Sequence, residues 1–221
     1  MHLKKLLAVF VLSLVSVVAR ADNFSFTGNL NSINDVQLFT FTVGSGSNVV
    51  LRTWSYAGGV NAAGQSIAHG GFDPILALFR GTGSSALFID QNDDGGCGNV
   101  AADSVTGACW DTYLAVSNLT PGDYTVSVMD FANFFNGTTL GDGFSNGGTT
   151  DSSCGGGPYC DVTGHARDSH WAFDILGVEA ATNPTAQPTD TTPSVPEPSS
   201  IALLSSGLVG VANLARKRLF A

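Results

Sequence analysis

Apolar residues recur at every second position through most of this chain, and glycine-rich turns interrupt them at short intervals. A period of two puts alternate side chains on opposite faces of an extended strand, whereas a helix needs a period of about 3.6. Phe24 and Phe26, then Phe39, Phe41 and Val43, then Tyr124, Val126 and Val128 alternate with small polar residues. Trp171, Phe173 and Ile175 repeat the pattern further on. Val49 to Trp54 is β-branched and aromatic, and Ile75 to Phe79, Ala86 to Ile89 and Thr112 to Val116 supply further short strands. Gly44-Ser45-Gly46, Gly81-Thr82-Gly83, Asp94-Gly95-Gly96, Pro121-Gly122-Asp123 and Asn136-Gly137 carry reverse-turn chemistry. About eight short strands with this punctuation predict an all-β domain: a single antiparallel β-sandwich, jelly-roll-like.

Both ends depart from the pattern. Lys4 and Lys5 precede an apolar stretch from Leu6 to Val18 and the site Ala19-Arg20-Ala21, which predicts a signal peptide over residues 1–21. The sandwich is expected over residues 22–180, and a Thr/Pro-rich linker of polyproline character over 181–194. Residues 195–221 begin Val195-Pro196-Glu197-Pro198, continue through an apolar run ending at Ala215, and finish with Arg216-Lys217-Arg218 and three further residues. The prolines hold the backbone extended, where a processing enzyme can grip it. The apolar run is a short transmembrane helix near the lower length limit for a span. The basic triplet keeps the far end cytoplasmic. This tripartite tail resembles the bacterial PEP-CTERM sorting signal. The resemblance implies an exosortase-type processing enzyme as partner, transient anchoring in the inner membrane, and a final place at or beyond a Gram-negative cell surface. A permanent tail anchor is the competing reading.

Of nine Lys and Arg residues, only Arg52, Arg80 and Arg167 fall between Asp22 and Glu179. They face sixteen acids there, a formal balance of −13. Phosphate contacts need clustered bases, so nucleic acid is not a partner. The excess suits divalent cations and solubility in a charged matrix. Cys97, Cys109, Cys154 and Cys160 form an even set in an exported segment, which reads as disulfides. Three connectivities are open, and the sequence-near pairs Cys97–Cys109 and Cys154–Cys160 are the expected ones. A zinc site is the rival, with spacings that do not suit it.

The middle of the chain also resembles a PEP-CTERM ectodomain family related to bacterial pre-peptidase C-terminal β-sandwich domains. The resemblance runs through Asp35-Val36-Gln37-Leu38-Phe39, Gly71-Phe72-Asp73-Pro74-Ile75, Asn92-Asp93-Asp94-Gly95, Cys109-Trp110-Asp111-Thr112-Tyr113, Pro121-Gly122-Asp123-Tyr124 and His170-Trp171-Ala172-Phe173. It implies an accessory or binding module without catalytic residues, in an exopolysaccharide-rich or biofilm setting. A carbohydrate-binding module or carbohydrate-active enzyme is the alternative.

The sharpest candidate site is Asp90-Gln91-Asn92-Asp93-Asp94-Gly95, with Asp73 before it and Asp111 after it. Asp73, Asp90, Asn92, Asp93, Asp94 and Asp111 are candidate Ca2+ ligands, because that ion takes six to eight hard oxygens in flexible geometry. The spacing is not an EF-hand, and a local Asx-turn is the plainer alternative. His165 and His170 are an odd number of residues apart and on one strand would face opposite ways. Arg167 and Asp168 are therefore expected to pair with nearby turns. Trp54, Tyr56, Phe131, Phe134 and Phe135 could stack on sugars, although such rings more often belong to the core or its edge, and Phe134-Phe135-Asn136-Gly137 is the first segment to inspect for an exposed patch.

Overall fold

The computed structural model describes residues 21–148, 154 and 158–184. The chain divides after Thr185, and every described residue belongs to the first unit. The signal peptide up to residue 20, the linker from residue 185 and the whole sorting tail lie outside the described residues. Among the described residues no helix is long and apolar enough to cross a membrane.

Nine strands make two sheets. They are β1 (Asp22–Asn29), β2 (Val36–Val43), β3 (Ser47–Thr53), β6 (Pro74–Arg80), β7 (Leu87–Asn92), β8 (Tyr113–Leu119), β9 (Gly122–Asp130), β12 (His170–Val178) and β13 (Ala180–Thr182). Two short ribbons, β4 (Gly59–Val60) with β5 (Ser66–Ile67) and β10 (Tyr159–Cys160) with β11 (Ala166–Arg167), lie in the connections. One sheet has the order β1-β12-β3-β8 and the other β13-β2-β9-β6-β7, with antiparallel pairing throughout. Among the eight long strands the first pairs with the last, the second with the seventh, the third with the sixth and the fourth with the fifth. That nested order is a jelly roll, and all eight expected strands are present.

Alternation sends Phe26, Phe39, Phe41, Phe173 and Ile175 into the space between the sheets. Phe39 centres it, with ring centroids 5.0 Å from both Phe26 and Phe173 and 5.4 Å from Trp171. Strands β6 and β9 are buried on both faces, which is why Ile75 to Phe79 reads as a continuous apolar run. Their outward side chains Ile75, Ala77, Phe79 and Met129 form a second core under the segment that follows Asp130. Phe135 belongs to it, 7% exposed and 4.8 Å from Phe79. Phe134 and Phe135 thus follow the core-edge reading and form no exposed patch, because that segment covers a sheet face. Tyr56, also a candidate for stacking on sugars, is fully buried.

Two further features were not anticipated. Strand β13 pairs with Thr40 to Thr42 of β2, and Gln37 Nε2 donates to Asn183 Oδ1, so the sandwich continues past the expected boundary at 180. Small side chains hid it, since an edge strand needs only main-chain hydrogen bonds. The turns of the two ribbons share one construction. Asn61 and Asp161 each accept through a side-chain oxygen from the amide four residues on, and Gly64 and Gly164 take positive φ. Both expected cysteine pairs are joined, with Cα atoms 5.1 Å apart for Cys97–Cys109 and 5.9 Å for Cys154–Cys160.

Candidate metal centre

One end of the five-stranded sheet gathers the acids. Antiparallel pairing sets Pro74, the first residue of β6, opposite Asp130, the last of β9, and sets Leu76 opposite Asn92, the last of β7. Proline is tolerated at a strand's first position, and Asp73 stands just before it. Asp93 and Asp94 follow β7 into the turn. The chain there approaches Asp111 so closely that a Cβ on Gly95 would lie 2.8 Å from Asp111 O and from Tyr113 Cβ. Thr112 Oγ1 donates to Asp93 O at 2.7 Å and lies against Pro74 O, fastening the turn to the start of β6.

Carboxylate oxygens of Asp73, Asp93 and Asp94 lie within 4.8 Å of one another. Asp73 is 7% exposed and Asp130 4% exposed. Asp73 Oδ1, Asn92 Oδ1, Asp93 Oδ1 and Asp130 Oδ2 are buried oxygens with no hydrogen-bond donor. Such orphans are rare in folded proteins and call for a counter-charge. Burial first, and then the charges of Asp93, Asp94, Asp130 and Asp111, push the Asp73 carboxyl up to about 9. Burial raises Asp130 to about 8, against a hydrogen bond from the Phe131 amide. Burial and Asp94 raise Asp93 to about 6, and burial raises Asp94. Carboxyls crowded in this way either hold protons or share a cation.

The structure thus brings Asp73, Asp93 and Asp94 together and leaves Asn92 beside them in the chain with an unused oxygen. It does not bring Asp90 or Asp111 in as expected. Asp90 is exposed, and its Oδ1 accepts from the Gln91 amide. Asp111 is 2% exposed, but its oxygens are occupied: Oδ1 accepts from Thr53 Oγ1 at 2.9 Å and Tyr56 N at 3.1 Å, and Oδ2 from Ala57 N at 2.8 Å. It is a cap for the loop after β3. Asp130 was missed. Its only sequence signal is an acid at the end of an alternating strand, and the β6–β9 pairing is what carries it to Asp73.

The other acids serve structure. Arg167 is 9% exposed; its Nη2 lies 2.9 Å from Asp161 Oδ2 and 3.3 Å from Asp103 Oδ2. It does pair with a nearby turn, that of Asp161, and with a distant loop besides. His165 Nδ1 lies 2.8 Å from Thr163 Oγ1, while His170 engages Asp168 through Nδ1 and Ala68 O through Nε2, so the two rings serve separate turns.

Residues 194–218 match the family model of the PEP-CTERM protein-sorting motif. No curated protein matches the chain. The matched tail supports an exported PEP-CTERM protein, passed through the membrane and sorted to the cell envelope by an exosortase.

Proposed function

We propose that this chain is a non-enzymatic surface protein of a Gram-negative envelope, working in an exopolysaccharide-rich matrix, whose sandwich is fastened by one bound Ca2+. A signal peptide cut after Ala21 starts its export. The apolar run before Arg216-Lys217-Arg218 holds it in the inner membrane until exosortase acts, and the ectodomain is a relative of the pre-peptidase C-terminal sandwiches.

The observation that carries the metal is the convergence of Asp73, Asp93 and Asp94, with Asp130 close enough to act on Asp73, and with oxygens of Asp73, Asp93 and Asp130 that no donor reaches. All are hard oxygen ligands, which suit Ca2+ and not a nitrogen- or sulfur-seeking ion. Bound there, the ion neutralises the cluster and joins the ends of three neighbouring strands. The non-enzymatic reading is supported by Asp103, Asp111, Asp161 and Asp174, each engaged as a structural cap or ion pair. The test is thermal unfolding of the full chain in EDTA and in millimolar Ca2+, with Mg2+ as control. A midpoint several degrees higher in Ca2+ is expected, and an unchanged midpoint overturns the metal. Mass spectrometry of the mature C-terminus tests the sorting: a surface protein still ending in the basic tail overturns it.

A further inference from the structure

We infer that the outer face of the four-stranded sheet carries a carboxylate-recognition site centred on Arg52, suited to a uronic-acid residue of a glycan. Strand register sets Ser25, Asp174, Arg52 and Tyr113 in one row across β1, β12, β3 and β8. Their neighbours Phe26, Phe173, Leu51 and Leu114 point into the core, so this row points outward.

Asp174 stands directly beside Arg52, yet its carboxylate is taken. It accepts from Ser25 Oγ, from Trp54 Nε1 at 2.7 Å and from Ala62 N at 2.9 Å. Arg52 forms no ion pair among the described residues. Its guanidinium lies 3.7 Å over the Trp54 ring instead. Gly59 backs that ring, where a Cβ would come within 2.7 Å. Trp54, held by Asp174 and closely packed by Gly59, is therefore a fixed platform for the guanidinium. Arg52 Nε is buried and has no acceptor. Of the other two arginines of the domain, Arg167 is buried in ion pairs and Arg80 is exposed at the end of β6.

The buried Nε is out of a ligand's reach, but the two terminal Nη groups, which hold no ion pair among the described residues, form a planar fork that matches the two oxygens of a carboxylate. The next row of the same face, Asn23, Leu176, Val50 and Ala115, is apolar on the three strands beyond β1, and Tyr113 flanks the fork. That floor suits the C–H face of a sugar ring carrying the acid. The acid excess of the domain repels a dense polyanion, so the site fits an isolated uronate within an otherwise neutral glycan. The choice of glycan as the source rests on the matrix reading above, whereas the site itself needs no Ca2+.

The experiment titrates the full chain with a trisaccharide bearing one glucuronate, with its methyl ester, and with acetate, each in EDTA and in Ca2+. The acid form is expected to bind at least tenfold tighter than the ester and than acetate, equally in both media. Arg52→Gln is expected to lose at least tenfold, and Arg52→Lys to fall between, with the thermal midpoint of the Lys variant confirming its fold. Equal binding of acid and ester, unchanged binding by both variants, or no binding at millimolar ligand overturns the site. Acetate binding as tightly overturns the glycan. Binding that EDTA abolishes assigns recognition to the metal instead. The EDTA melt decides the Ca2+ reading separately.

Discussion

Asp161 Oδ2 accepts at 2.9 Å from both the Tyr56 hydroxyl and Arg167 Nε. The same guanidinium lies 3.8 Å from the centre of the Tyr56 ring and reaches into the loop closed by Cys97–Cys109, where Asp103 sits. One buried arginine thus ties that loop to the ribbon that begins at Tyr159 and Cys160. Arg167→Met keeps most of the volume but strands two buried carboxylates. Breaking such a pair costs roughly 3–5 kcal/mol. Urea unfolding of the variant is expected to show a loss of that order, and a loss near zero contradicts the assignment.

Acid should undo the same network. Burial raises the Asp161 carboxyl, but hydrogen bonds from Thr163, His165, Tyr56 and Arg167 more than offset this and hold it well below the usual carboxylate range. Asp103 is lowered in the same way, burial being outweighed by Thr106 and Arg167. Depressed carboxyls bind fewer protons folded than unfolded. Their contribution is present above the ordinary value of 3.8 and is lost as pH falls below it. Stability measured from pH 7 to pH 2 is expected to drop more steeply below pH 4 in the wild type than in Arg167→Met, a comparison in which the other titrating groups largely cancel.

Asp130→Asn separates a ligand from a mere buried acid. In Ca2+ the variant loses a charged ligand and is expected to melt several degrees lower than the wild type. In EDTA it replaces a carboxyl that burial already disfavours as an anion with a neutral amide in a crowded, dry cluster, and is expected to melt at the same temperature or higher. A variant that is destabilised equally in both media shows Asp130 to be structural only.

Tyr124 stacks on Phe41 and donates its hydroxyl to Thr120 O at 2.7 Å, across the arch where the chain leaves β8 for β9 in the other sheet. A tyrosine placed in this way pins a sandwich corner. Tyr124→Phe keeps the ring and deletes one hydrogen bond, so a loss of about 1 kcal/mol is expected. Chemical denaturation should show a lower midpoint with an unchanged slope.

The long strands were legible because a sandwich imposes its inside and outside on the sequence. The gaps share a cause. Sequence alone leaves Phe135 open between core and surface, and the segment carrying it covers the outer side of Phe79. Ala181 and Thr182 read as linker because a backbone ladder leaves no mark on composition. At the acidic centre, Asp73, Asp93 and Asp94 were legible as clustered oxygens around a turn. Asp130 was not, since only the register of β9 against β6 delivers it. Asp111 is claimed by donors from the end of the neighbouring strand β3 and the loop after it, Thr53, Tyr56 and Ala57, which only the β3–β8 pairing brings to it.

The nested strand order also sets a timetable. Asp22 pairs with Val178, and no sheet has its full complement until the last long strand arrives. A chain threaded outward from its amino end must keep β1 waiting until almost the whole ectodomain has crossed, and such distant pairings form slowly. Of the long-strand pairs only the β6–β7 hairpin can close early, and its open end holds Asp73, Asp93 and Asp94. The first fold available after passage is therefore the one that meets the ions of the outside world.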